Sequence, residues 1–71
     1  MFIELDDEIV NINLVSKIKK VYSDTYRVVF MSGQEEVKSK VFNNSTEADQ
    51  FYKNLKNIIA RKGSIQRLNK N

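Results

Sequence analysis

The segment Tyr26-Arg27-Val28-Val29-Phe30-Met31 constrains this chain more than any other. It is dense in β-branched and aromatic side chains, which suit a pleated, half-buried surface. Ser23-Asp24-Thr25 precedes it and Ser32-Gly33 follows it, and Gly supplies the positive φ of a two-residue hairpin turn. A strand with a turn at each end has a neighbour on each side. The sequence therefore predicts an antiparallel meander, with Ser16 to Tyr22 before the central strand and Gln34 to Phe42 after it.

Register decides which side chains share a face. A three-residue loop at Ser23-Asp24-Thr25 pairs Tyr22 with Tyr26, Lys20 with Val28 and Ile18 with Phe30. A two-residue loop at Ser23-Asp24 would set Val28 and Phe30 against Lys19 and Lys17, placing charge in the core, and is rejected. A two-residue loop at Ser32-Gly33 pairs Val28 with Val37 and Tyr26 with Ser39. The expected inner face is then Ile18, Tyr22, Tyr26, Val28, Phe30, Val37 and Val41. The expected outer face is Lys19, Val21, Arg27, Val29, Met31, Glu36, Lys38 and Lys40.

Ahead of the meander, Phe2 to Leu5 and Glu8 to Ile12 read as extended segments joined at Asp6-Asp7, since Asp tolerates the left-handed region. Leu5 then opposes Glu8 and Ile3 opposes Val10, so that Ile3, Leu5, Val10 and Ile12 share the core side. Asn13-Leu14-Val15 turns a corner. After the meander, Asn44 or Ser45 can cap a helix, and Asn44 with Glu47 has capping-box spacing. Ala48, Phe51, Tyr52, Leu55, Ile58 and Ile59 form one apolar stripe on that helix, and Gly63 fits the position that ends it. The expected fold class is α+β: a four-stranded antiparallel sheet in the order β-β-β-β-α, packed on one C-terminal amphipathic helix. Residues 1–63 are expected to be a single domain and 64–71 a basic polar tail.

Composition excludes several kinds of chemistry. Among 71 residues there is no His and no Cys. The chain thus lacks the common zinc ligands, an imidazole base, a thiol nucleophile and any disulfide. With 41% hydrophobic and 30% charged residues it is globular rather than disordered. The longest apolar runs fall well short of the roughly 18 residues of a membrane span. The N-terminal Met1 to Glu8 lacks the basic and small-residue signals of a leader. A cytoplasmic chain without membrane contact is expected. The acidic cluster Glu4, Asp6, Asp7, Glu8 has none of the alternate-ligand spacing of a calcium loop and reads as a solvated turn. Gly33 is accounted for by its hairpin, and Tyr22, Tyr26 and Tyr52 read as core or rim. No catalytic, metal or cofactor site is expected.

What remains is surface. Residues 1–36 carry seven carboxylates against four cations, a net −3; residues 37–71 carry eight cations against two carboxylates, a net +6. Two cationic surfaces follow as candidate anion-binding sites: Lys19, Arg27, Lys38 and Lys40 on the sheet, and Lys53, Lys56, Arg61 and Lys62 on the helix. Arg67 and Lys70 extend the second of these. Val21, Val29 and Met31 interrupt the outward polar alternation and form a candidate interface, because a chain this small gains stability by burying such a patch.

Leu5-Asp6-Asp7-Glu8-Ile9-Val10-Asn11 followed by Leu14-Val15-Ser16-Lys17-Ile18 resembles the opening of the small flagellar FlbD-like proteins. It is also similar to small phage proteins of unknown function with strand-rich starts. The order β-β-β-β-α resembles, in topology, the single-stranded-DNA-binding fold of the transcriptional coactivator family. That resemblance implies a dimer formed through the helix and strands bound on curved sheets.

The leading expectation is a non-catalytic module that binds an anionic partner, either nucleic acid or a phosphorylated or nucleotide ligand. The alternative is a phage-type regulator or inhibitor of a host protein, in contact through Val21, Val29 and Met31 or through the acidic Glu4 to Glu8 edge. Either is expected as a homo-oligomer.

Overall fold

In the computed structural model, which describes residues 1–61, the chain is α+β, with five strands and one C-terminal helix. The strands are β1 (Phe2–Leu5), β2 (Glu8–Asn11), β3 (Lys17–Tyr22), β4 (Tyr26–Ser32) and β5 (Glu35–Phe42), and the helix is α1 (Ser45–Arg61). They form two antiparallel sheets, β1-β2 and β3-β4-β5, rather than a single four-stranded one. The separation has a local cause. Ile12–Leu14 forms a short 3-10 turn, capped by the Asn11 side chain, which accepts the Asn13 N–H at 3.0 Å. This turn redirects the chain, and the β1-β2 hairpin packs beside α1 over the larger sheet instead of extending it.

The hairpin itself follows its sequence. Leu5 opposes Glu8 and Ile3 opposes Val10. Asp6 takes φ 54°, the left-handed geometry that the turn requires. Ile3, Val10 and Ile12 pack around a core of Leu5, Val28, Phe30, Ala48 and Leu55. Phe42 joins them, its ring 5.1 Å from that of Phe51 on the helix. Each fully buried aliphatic or aromatic side chain of this kind contributes about 1.5–3 kcal/mol. Asn44 caps α1, its side-chain oxygen accepting the Glu47 N–H at 2.9 Å. Ala48 and Leu55 are the buried members of the helix stripe, while Ile58 stays exposed. The expected helix stop at Gly63 and the tail 64–71 lie outside the described residues.

The two hairpins of the larger sheet differ in outcome. β3 and β4 pair Tyr22 with Tyr26, Lys20 with Val28 and Ile18 with Phe30, as the sequence predicts. Tyr22 and Tyr26 stand at the rim of that inner face, ring against ring at 5.4 Å. The pairing of β4 with β5 departs from expectation. The turn is Gly33-Gln34, so that Ser32 pairs with Glu35 and Met31 with Glu36; a bulge follows, after which Phe30 pairs with Lys38, Val28 with Lys40 and Tyr26 with Phe42. Ser16 explains the turn's position. Its hydroxyl accepts the Gly33 N–H at 2.9 Å and donates to the Met31 carbonyl at 3.2 Å, holding the turn one residue further on. The bulge then reverses the parity of β5. Val37 and Val41, expected inside, are 50% and 57% exposed. Lys38 and Lys40, expected outside, share the inner face with Phe30 and Val28.

Candidate functional site

The lysines that β5 turns inward are accommodated by the acidic hairpin. Lys38 reaches Glu8 at 2.5 Å and Lys40 reaches Asp6 at 2.7 Å. On the opposite margin, Asp49 of α1 accepts from the Tyr22 hydroxyl at 2.6 Å and lies 3.4 Å from the Lys20 ammonium. These contacts form a polar seam where hairpin and helix meet the sheet. The Lys40 hydrogen bond holds the Asp6 carboxyl below its usual range. The Tyr22 hydroxyl, aided by Lys20, does the same for Asp49. The hydrogen bond to Glu8 raises Lys38. Desolvation, together with the bond to Asp49, pushes Tyr22 up to about 12.

The seam divides the expected cationic sheet surface. Lys38 and Lys40 are on the inner side and paired, while Lys19 and Arg27 are on the outer side. Arg27 lies 3.5 Å from Glu36 on that same outer face. The four cations therefore do not form one anion-binding surface. Lys53, Lys56 and Arg61 are exposed on α1, with no carboxylate partner among the described residues, and Lys62 lies outside those residues.

Val21, Val29 and Met31 do share the outer face, as expected. Val29 is nearly inaccessible there, and Val21 and Met31 are half-buried.

A groove of mixed lining emerges that the sequence reading did not single out, with Glu8, Asn11 and Lys38 beside its aliphatic side chains. It measures about 400 Å³ and lies between β2, the 3-10 turn and β5. Ile9, Leu14 and Val37 line it, and they are 72%, 70% and 50% exposed. Part of this was readable: the hairpin register that turns Val10 inward turns Ile9 outward. Val37 was hidden by the bulge. Among the described residues β5 pairs only with β4, and no strand lies along its other edge, beside this groove. A second hollow, of about 450 Å³, lies between β1 and α1, with Phe2 and Ile58 at its mouth.

Among the described residues no cluster of acidic side chains is placed to hold a metal ion, and no helix is long and apolar enough to cross a membrane. Comparison with family models, curated proteins and solved structures finds no match to this chain.

Proposed function

We propose that this protein is a non-catalytic protein-binding module that receives an extended segment of its partner along the open edge of β5. The observation that carries this reading is the convergence of Ile9, Leu14 and Val37 on one groove beside an unpaired strand edge. Strand addition takes its affinity from main-chain hydrogen bonds and its selectivity from pockets for alternate side chains. A branched aliphatic side chain of the incoming segment suits this groove.

The charges on the strands support the choice of edge. An exposed strand edge is commonly guarded by lysines that a second strand would have to desolvate. The β3 edge carries exposed Lys17 and Lys19, which have no carboxylate partner among the described residues. On β5, Lys38 and Lys40 are turned inward and paired with the hairpin. The same pairing removes two cations from the anion-binding alternative.

The test is retention of partners from the native host by immobilised wild type, Val37→Asp, Ile9→Asp and a Lys53→Glu/Lys56→Glu variant, at low and high salt. These positions are exposed, and circular dichroism checks that each variant folds. The expected result is a protein retained through the high-salt wash and lost by roughly tenfold or more in the two groove variants, with the helix variant unchanged. Retention of nucleic acid that falls steeply with salt and depends on Lys53 and Lys56 overturns this reading in favour of anion binding.

A further inference from the structure

The outer face of the β3-β4-β5 sheet is covered by neither the helix nor the hairpin, both of which pack on the opposite side. Strand register sorts its side chains into three rows that run from β3 across β4 to β5. They are Lys17-Met31-Glu36, Lys19-Val29-Ser39 and Val21-Arg27-Val41. The first row has a cation at one end and a carboxylate at the other. The second has a cation facing a hydroxyl, and the third has valine at both ends.

A two-fold axis laid along β4 turns the sheet over and exchanges its margins. β3 of one copy then lies over β5 of the other, with the strands nearly aligned, as in packed sheets. Each row meets its own reversal. Lys17 faces Glu36, Lys19 faces Ser39 and Val21 faces Val41, while Met31 meets its own copy on the axis and Val29, already nearly inaccessible, lies beneath the contact. We infer that this face pairs with the same face of a second copy of the chain in this arrangement. The other face-to-face two-fold, across the strands, lays Lys19 on Lys19 and sets Lys17 and Glu36 against valines, so the charges select the first. Arg27 is the one residue that meets a like charge on the axis. Glu36, 3.5 Å from it, draws each guanidinium aside and lies between it and the partner's Lys17.

The arrangement uses the face of the sheet and leaves the β5 edge unpaired, so it stands or falls separately from strand addition. A three-stranded sheet offers a face of roughly 15 by 20 Å. Pairing two such faces buries roughly 600 Å² in all, below the ~1,000 Å² of a lasting interface, so the dimer is weak and forms only at high concentration.

Sedimentation equilibrium of the full chain tests the pairing. Wild type is expected in monomer–dimer exchange. Lys17→Glu alone and Glu36→Lys alone each set like charges together twice per dimer and weaken association by roughly tenfold or more. An equimolar mixture of the two variants re-forms both opposite-charge pairs and restores dimerisation to near the wild-type level. Both positions are exposed, so folding is retained. Met31→Cys, in a chain with no other cysteine, is expected to be joined into a dimer by a short bifunctional thiol reagent, since sheets packed about 10 Å apart hold the two sulfurs beyond direct disulfide reach. A wild type that stays monomeric at the highest concentration overturns the inference. So do single variants that associate like wild type, or a mixture no tighter than its components.

Discussion

Val28 and Val29 are neighbours on the same strand, 0% and 2% exposed, and they point to opposite faces of the sheet. Val28 belongs to a continuous core with Leu5, Phe30, Ala48 and Leu55, under a helix and a hairpin. Val29 has no second layer above it among the described residues, since helix and hairpin both pack on the other face. Equal inaccessibility thus arises in two ways: one face is finished by tertiary packing, and the other only by residues that can move aside. The finished face gives the fold its stability. The unfinished one is where a second chain can add to it.

Three measurements test that contrast. The largest effect is expected at Phe30, which is fully buried on the finished face. Phe30→Ala should cost about 3–5 kcal/mol and leave a domain of this size largely unfolded in chemical denaturation. A stable, cooperative variant would show that the inner core is not the seat of stability.

The matched valines come next. Val28→Ala should lower stability by about 2 kcal/mol, from two lost methyl groups and the cavity left among fixed neighbours. Val29→Ala should cost less than about 1 kcal/mol at low protein concentration, because the flanking stems of Arg27 and Lys19 can close over the gap. The loss should grow as concentration rises and dimer stability enters. Equal, concentration-independent losses at the two positions would erase the distinction.

The smallest effect concerns the polar seam that bounds the inner face, and it is read through pH. Asp6 and Asp49 titrate below their ordinary 3.8 in the fold, so their contribution is present above that value and is lost as pH falls through the lowered native values. Tyr22 is raised from 10.0 to about 12, so its contribution is present below pH 10 and is lost as pH rises toward 12. Lys38, raised above its ordinary 10.5, fades in the same alkaline direction. The unfolding midpoint should therefore be flat between about pH 5 and 9 and fall on both sides. Asp6→Asn with Asp49→Asn should flatten the acid side, and an acid limb unchanged by that pair would show that other carboxylates produce it.

Much of this was legible in the sequence because local chemistry and tertiary need agree. The Asp6-Asp7 turn, the Asn44 cap and the Tyr22-Tyr26 register each follow from a few adjacent residues. The failure at β5 has an equally definite origin. Keeping charge out of a core is a sound rule, and applied to β5 it sends Lys38 and Lys40 outward. Glu8 and Asp6, about thirty residues away in sequence, make the inward position tolerable, and only the folded hairpin brings them there. Ser16, which fixes the Gly33-Gln34 turn from just before β3, carries no local signal either. The candidate cationic surface was lost with that register. Val21, Val29 and Met31 fall on one face as expected because that placement rests on the β3-β4 hairpin, whose register was read correctly.

The bulge in β5 acts as a parity bit for the molecule. Strand residues alternate between two addresses, and the surplus residue opposite Phe30 and Met31 decides which residues go to which. One residue inserted just after the bulge would exchange the addresses of those that follow, sending Val41 under the hairpin and Lys38 and Lys40 onto the open face. A change of two would restore the same addresses. Length in this segment is therefore constrained to even steps, a form of information that no single side chain in it carries.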